Sequence, residues 1–260
     1  MAQMAQNVPG AAEARIVAVG GGRVGGGDTL RFTLPPGGAA YADAQIDDYG
    51  GPPAPGAPRF AHRPGVALSL RARFSHTAGE LRGTAGFGFW NAPYGDPSRR
   101  RWALPQAAWF FFASAPGDLP FAPGEPGRGW FAATLDAGTP AALALLPFAP
   151  VVVALNQMTA LRRRLWPGVR ARLCIHAAPL AVDMREWHTY ELRWRPDGCS
   201  FAVDGRAVLA TPSGPRGPLG FVCWLDNQYL ALTPRGRFRA GVVDMPGEQW
   251  LEVTDLRLGD

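Results

Sequence analysis

The sequence contains no lysine, so its 26 basic residues are all arginines, set against 21 acidic residues. The resulting net charge of +5 is modest, and the arginines are scattered except for two short runs, Arg99–Arg101 and Arg162–Arg164. Binding of nucleic acid needs a continuous basic face interleaved with base-stacking aromatic side chains. We therefore expect no nucleic-acid partner.

Cysteine is scarce as well. Only Cys174, Cys199 and Cys223 occur, and no two of them form a C-x-x-C pair. A sparse, odd set of cysteines argues against a disulfide framework and fits a reducing compartment. The first twenty residues lack the basic and apolar regions of a secretory signal. We expect a cytoplasmic protein in which residues 1–14 form a flexible leader.

Motifs that would carry metal or nucleophilic chemistry are absent. The four histidines are dispersed, without the H-x-H or H-x-x-x-H spacing of metal ligands, and no serine stands in G-x-S-x-G. No cofactor is predicted, and a structural calcium ion stays an open question.

Glycine, proline and aromatic residues are plentiful instead, with 33 Gly, 26 Pro, nine Trp and 14 Phe. This composition disfavours a helical bundle and suits short strands joined by tight turns such as Asp204-Gly205. The predicted strands are 15–19, 29–34, 66–74, 84–90, 107–114, 129–135, 171–176, 187–194, 200–203, 219–226 and 249–258. Residues 35–65, which include Asp43, Asp47 and Asp48, are predicted to be a long surface loop. The predicted fold class is all-β.

One segment departs from this pattern. Residues 141–161 are almost wholly apolar, and the run Arg162–Arg164 follows them. Pro150 suits a first helical turn, and apolar residues then recur at spacings of three and four, which predicts a helix of about four turns between Pro150 and Trp166. The arginines are expected in its last turn.

We expect an insertion at about 141–166 packed against the sandwich. The alternatives are a lid over a ligand cleft and an apolar patch that contacts a membrane surface or a partner. Prolines and amides interrupt the run too often for a transmembrane span.

The C-terminal half carries a resemblance to a known family. Residues 187–198 read WHTYELRWRPDG, residues 201–206 read FAVDGR, and residues 219–228 and 250–258 continue the pattern as strands. These segments resemble concanavalin A-like jelly rolls, especially the laminarinase-type glycoside hydrolases of family 16. The resemblance implies one concanavalin A-like jelly-roll β-sandwich over residues 15–260, with a ligand on its concave sheet.

The catalytic strand of that family is missing. Retaining glycoside hydrolysis needs two carboxylates about 5–5.5 Å apart, which the family supplies from an E-x-D-x-(x)-E strand. The corresponding segments here, Thr84–Asn91 and Ala107–Ser114, contain no carboxylate. No family nucleophile or acid is therefore assigned to any residue, and a family 16-type retaining glycosidase is not predicted.

Aromatic and amide side chains are the candidates for the concave face in place of acids. Aromatic rings stack on sugars or line apolar pockets, and amides bind hydroxyl groups. The predicted ligand-binding residues are Phe87, Phe89, Asn91, Trp109, Phe111, Trp224, Asn227, Gln228 and Tyr229. Asp226 and His188 are the candidates for proton transfer, although structural roles for both are also open.

Three functional hypotheses remain. The first is a concanavalin A-like binding protein or non-hydrolytic enzyme with a carbohydrate on the aromatic concave face. The second is an intracellular enzyme of the isomerase, hydratase or cyclase type, which acts on an apolar small molecule beneath the 141–166 insertion. The third is a structural or interaction module.

Overall fold

The computed structural model describes residues 14–49, 59–93, 103–121 and 127–259, and these form a sandwich of two antiparallel sheets. The front sheet contains, in spatial order, β1 (Arg15–Val19), β4 (Asp43–Asp47), β13 (Gly220–Asp226), β6 (Thr84–Trp90), β7 (Gln106–Ala113), β8 (Gly129–Asp136) and β9 (His176–Pro179). The back sheet contains, in spatial order, β12 (Arg206–Ala210), β11 (Gly198–Val203), β10 (His188–Arg195), β5 (Ala67–Phe74), β16 (Gln249–Gly259), β3 (Leu30–Leu34) and β2 (Arg23–Gly26). A separate hairpin joins β14 (Gln228–Leu232) to β15 (Phe238–Val242). The predicted all-β sandwich with a helical insertion is confirmed.

The core lies between the two sheets and follows from the two-residue period of strand side chains. Phe87 of β6 and Phe110 of β7 point into it and meet Tyr190 of β10, with ring centroids 5.1 Å and 5.0 Å from that of the tyrosine. Phe87 and Phe89 are completely buried there. Their predicted place on a ligand-binding face is therefore wrong, because the inward face of β6 belongs to the core.

The helical insertion differs from its prediction in shape. The predicted helix between Pro150 and Trp166 is divided into α2 (Ala149–Asn156) and α3 (Thr159–Arg172), and α1 (Pro140–Leu143) and a 3₁₀ turn (Leu146–Phe148) precede them. Arg162–Arg164 consequently lie in the first half of α3, which continues through Pro167. Residues 171–172, predicted as the start of a strand, belong to that helix. No helix in the described part of the chain is long and apolar enough to cross a membrane.

The predicted loop at 35–65 contains a strand of the front sheet. β4 reads DAQID and pairs with β1 on one side and with β13 on the other. Ala44 and Ile46 point into the core, so Asp43, Gln45 and Asp47 share the outer face. Of the predicted leader, residues 1–13 lie outside the described residues, and Ala14 is buried in the core.

Truncation of Phe87 to alanine is expected to lower the free energy of unfolding by about 3–5 kcal/mol, because it removes a buried ring and leaves a cavity. Urea denaturation measures this change. Phe148→Ala is the control, since Phe148 is 59% exposed and its truncation is expected to change stability by less than about 0.5 kcal/mol. Similar effects of the two substitutions would contradict the position of Phe87 in the core.

Candidate functional site

The outer face of the front sheet carries a continuous group of aromatic rings. Trp109 lies at the centre, with its ring centroid 5.4 Å from Trp90, 5.2 Å from Phe111 and 5.6 Å from Trp224. We call these four residues the aromatic patch. They come from β6, β7 and β13, which are adjacent strands. The predicted residues Trp109, Phe111 and Trp224 are thus brought together on one face, and Trp90 joins them.

Glycines of β6 make room for the patch. A Cβ atom on Gly86 would lie 2.8 Å from Cη2 of Trp224, and one on Gly88 would lie 2.7 Å from Cβ of Trp109. Both distances are shorter than van der Waals contact, so a larger residue at Gly86 would displace the Trp224 ring, and one at Gly88 would displace the backbone that carries Trp109. The alternation of glycine and phenylalanine in β6 therefore serves both faces, with phenylalanines inside and space for tryptophans outside.

The patch is mostly covered but polar groups remain within it. Trp109, Phe111 and Trp224 are each less than a tenth exposed, whereas Trp90 is half-buried and donates a hydrogen bond from Nε1 to the Tyr49 hydroxyl at 2.7 Å. The indole N–H of Trp109 is buried and finds no acceptor among the described residues. Buried donors without a partner are uncommon in folded proteins.

Two carboxyl groups face each other beside the patch. Asp43 of β4 and Asp226 of β13 are direct cross-strand partners, which places their Cβ atoms about 4.5–5.5 Å apart. Asp226 stands two residues after Trp224 on the same strand, so both side chains lie on the outer face. Asp43 is 4% exposed and Asp226 is 7% exposed. The expectation that this face lacks neighbouring acids is wrong, because the second acid comes from a strand that the sequence analysis assigned to a loop.

Hydrogen bonds link Asp226 to the aromatic patch. Its Oδ1 atom accepts from the Thr84 hydroxyl at 2.8 Å, from the Thr84 amide at 3.3 Å and from the Gln228 amide at 3.0 Å. The Thr84 hydroxyl in turn accepts from Nε1 of Trp224 at 3.0 Å. All of these donors reach Oδ1, so the carboxyl group is fixed in orientation and Oδ2 is left for another partner.

The pair is arranged to hold a proton. Burial raises the pKa of Asp226 to about 6, against the opposing effect of its hydrogen bonds from Thr84 and Gln228. Burial and the neighbouring charge of Asp226 raise the pKa of Asp43 well above its usual range. Burial and the two carboxyl groups also raise the pKa of Tyr41, whose hydroxyl lies beside Asp43. The pKa values of both carboxyl groups are therefore raised, which favours a pair that keeps a proton.

Asp43 also has an atom without a partner. Its Oδ1 is buried and accepts no hydrogen bond from any described residue. Asp47, on the same face of the same strand, differs sharply, because its carboxylate accepts from Nε of Arg15 at 2.9 Å and from Nε2 of Gln45 at 2.7 Å. One acid of β4 is thus neutralised by an arginine, and the other faces a second acid.

Two predicted ligand-binding amides serve the fold instead. Asn227 is completely buried, accepts from the Ala42 amide at 2.8 Å and donates to the Ala40 carbonyl at 2.9 Å. Asn91 donates to the Leu104 carbonyl at 2.8 Å and accepts from the Gln106 amide at 3.0 Å. Each side chain holds backbone segments through both its oxygen and its nitrogen, and a role of either in ligand binding stays a prediction.

The remaining predicted residues lie at the edge of the site or away from it. Gln228 and Tyr229 begin β14, where Gln228 is exposed and contributes its backbone amide to Asp226. His188 lies in the back sheet, with Nδ1 at 2.6 Å from Oδ2 of Asp204 and Nε2 at 3.0 Å from the Asp183 carbonyl. His188 is therefore not brought together with Asp226. Its contacts with Asp204 and with the Asp183 carbonyl instead hold a turn of the back sheet.

The described residues contain no group of three or more His, Cys, Asp or Glu side chains placed to hold a metal ion. The chemistry that the site itself offers is the transfer of a proton by the carboxyl pair beside a wall of rings.

Asp226→Asn is expected to raise the free energy of unfolding by about 1–3 kcal/mol at about pH 8 and to change it little at about pH 4. The pKa of Asp226 is higher in the folded protein than in the unfolded chain, so its contribution to stability is present at low pH and is lost as the pH rises through about 6. Asparagine keeps the acceptor oxygen for Thr84 and Gln228. Thermal or urea unfolding at the two pH values measures the difference.

Asp47→Asn is the matched control on the same face. It removes the carboxylate that binds Arg15 and is expected to destabilise the protein by about 1–3 kcal/mol at about pH 8. If Asp226→Asn destabilised the protein to the same extent at that pH, Asp226 would be an ordinary structural carboxylate.

Known proteins resemble this chain only distantly. No protein-family description matches this sequence, and no curated protein matches it. Similar solved structures include the Emp47p carbohydrate recognition domain, with 10% identity over 96% of this chain and 90% of that chain and a TM-score of 0.47. They also include an immunostimulatory antigen and pseudo-β-1,3-glucanase of Mycobacterium tuberculosis, with 13% identity, coverage of 88% and 74%, and a TM-score of 0.43. The catalytic domain of an endo-1,3-β-glucanase (laminarinase) from Thermotoga petrophila shows 11% identity, coverage of 88% and 76%, and a TM-score of 0.42. At these identities and TM-scores no argument rests on the likeness.

Proposed function

We propose that the outer face of the front sheet binds a carbohydrate. The observation that supports this most strongly is the hydrogen-bonded link between the aromatic patch and Asp226 of β13, which runs from Trp224 to Thr84 of β6 and from Thr84 to Asp226. Aromatic rings stack on the C–H faces of sugars, and carboxylates and amides bind sugar hydroxyls. The sequence resemblance of residues 187–206 points to the same class of ligand.

Trp90 offers the most accessible test of this proposal, because it is the half-buried edge of the aromatic patch. Trp90→Ala is expected to weaken binding roughly three- to tenfold, as the loss of one stacking ring would. Affinity electrophoresis against β-glucans, galactans and plant polysaccharides measures the retardation of wild type and variant.

Trp250→Ala provides the matched control. Trp250 is also half-buried, but it lies on the outer face of the back sheet, 4.4 Å from the guanidinium of Arg31 and 5.4 Å from that of Arg73. Its loss is expected to leave retardation unchanged. Retardation of the wild type by none of these polysaccharides, or an equal loss in both variants, would count against the proposal.

The carboxyl pair favours a second candidate, an enzyme that transfers a proton to or from the ligand bound on this face. Asp226 would act as the proton-transfer group through Oδ2, and Asp43, whose pKa is raised, would position it. Oδ1 of Asp43 is buried, so this oxygen influences the ligand only through Asp226. Such a group contributes about 10²- to 10⁴-fold to a reaction rate.

The enzyme candidate predicts that Asp226→Asn retains binding of the most strongly retarded polysaccharide but loses at least about a hundredfold in turnover. Release of reducing ends and formation of unsaturated sugars measure the reaction. The pH profile of the wild type is expected to change near the pKa of Asp226, about 6. Undiminished turnover by Asp226→Asn, or binding without any turnover by the wild type, would remove the enzyme candidate and leave the binding proposal intact.

A further inference from the structure

The exposed apolar side chains of this protein are concentrated in two segments. Eleven large hydrophobic residues are exposed in the described part of the chain, and nine of them belong to the helical insertion or to the β14–β15 hairpin. These nine are Leu143, Leu146, Phe148, Val151, Val153, Leu155, Met158, Leu232 and Phe238. The largest exposed fractions are 69% for Phe238, 61% for Met158 and 59% for Phe148. Such a concentration marks an interaction surface rather than ordinary scatter.

The two segments form one surface. The side chain of Asn156, at the end of α2, donates to the Pro234 carbonyl at 2.9 Å, and Gln157 donates to the Arg235 carbonyl at 2.9 Å. A Cβ atom on Gly236 would lie 2.7 Å from Cγ1 of Val153, so the tip of the hairpin rests directly on the helix. We call the surface formed by residues 140–172 and 228–242 the insertion face.

The charged residues of the insertion face are all arginines, so its charge is positive throughout. Residues 137–182 contain five arginines and no acidic residue, and residues 227–243 contain three arginines and no acidic residue. The other 18 arginines of the chain accompany all 21 acidic residues, so the rest of the protein has a net charge of −3. Arg163, Arg164 and Arg172 of α3 are exposed, as are the three arginines of the hairpin, Arg235, Arg237 and Arg239.

We propose that the insertion face docks on the surface of an anionic lipid bilayer. Protruding apolar side chains insert into the boundary between headgroups and acyl chains, and neighbouring arginines bind anionic headgroups. Leucine, valine, methionine and phenylalanine on short helices suit this boundary because a bilayer adapts to their shape. The absence of a spanning helix among the described residues agrees with attachment to the surface.

Charge also argues against a second copy of the chain as the occupant. A two-fold dimer through this face would bring the same patch of each subunit together, and its six exposed arginines would then meet their own counterparts without a single acid of the face between them. The proposed partner must instead be negatively charged and able to cover scattered apolar side chains. An anionic bilayer meets both conditions.

Vesicle co-sedimentation tests the proposal. The full-length chain is expected to bind vesicles of phosphatidylcholine mixed with phosphatidylglycerol, to bind pure phosphatidylcholine vesicles at least about tenfold more weakly, and to lose binding as salt is raised. The variant R163Q/R164Q/R172Q is expected to bind the anionic vesicles on the order of a hundredfold more weakly.

Two further variants complete the design. R193Q/R195Q/R206Q changes three exposed arginines of the back sheet, removes the same charge and is expected to bind as the wild type does. F148S/M158S removes two exposed apolar side chains and is expected to weaken binding on the order of tenfold or more without loss of thermal stability.

Three results would overturn the proposal. The first is equal binding to neutral and anionic vesicles, or binding to neither kind. If the protein binds neither kind, an acidic protein is left as the partner. The second is an equal loss in the two arginine variants. The third is a dimer in sedimentation velocity that F148S/M158S splits into monomers, which would assign the face to a second copy.

Discussion

The pairing of β4 with β13 is the constraint on which the outer face of the front sheet depends. It sets Asp43 directly opposite Asp226 and leaves both carboxyl groups almost fully buried beside the aromatic patch. Two ionised carboxylates at this separation and burial would repel each other strongly, so one of them keeps its proton. The neighbouring groups agree with this state, since three donors fix Oδ1 of Asp226 while Oδ1 of Asp43 accepts nothing from the described residues.

Burial of this carboxyl pair lowers the free energy of unfolding, and interactions elsewhere in the sandwich offset that loss. The interlocked rings of Phe87, Phe110 and Tyr190 between the sheets and the ion pair of Arg15 with Asp47 are stabilising features close to the site. Proteins retain buried, poorly satisfied polar groups chiefly where function needs them. The contrast between Asp43 and Asp47 on one face of one strand is the reason why we propose Asp43 as part of a functional site.

Much of the fold could be predicted from the sequence, because strand periodicity and turn residues are local signals. The bounds predicted for β1 and β6 agree with the structure, and Trp109, Phe111, Trp224 and Asp226 do share one face. The face of β6 that meets the core could not be predicted, since both faces of its Gly-Phe-Gly-Phe-Trp run are apolar. The break between α2 and α3 could not be predicted either. It coincides with hydrogen bonds from Asn156 and Gln157 to the distant β14–β15 hairpin.

The carboxyl pair could not be predicted either, because it depends on a pairing between distant strands. The glycine- and proline-rich surroundings of residues 35–65 favoured a loop, although the alternation in DAQID was a visible signal of a strand with one acidic face. Its partner Asp226 comes from the other end of the chain, and only the sheet topology brings the two together.

Carboxyl-carbon NMR of selectively labelled aspartate tests the central claim most directly. One resonance is expected to titrate near pH 6 and to disappear in Asp226→Asn, and a second is expected to titrate above the ordinary range of aspartate and to shift to lower pH once Asp226 is replaced. Titration of both carboxyl groups near their ordinary value, about 4, without any coupling between them would contradict the account.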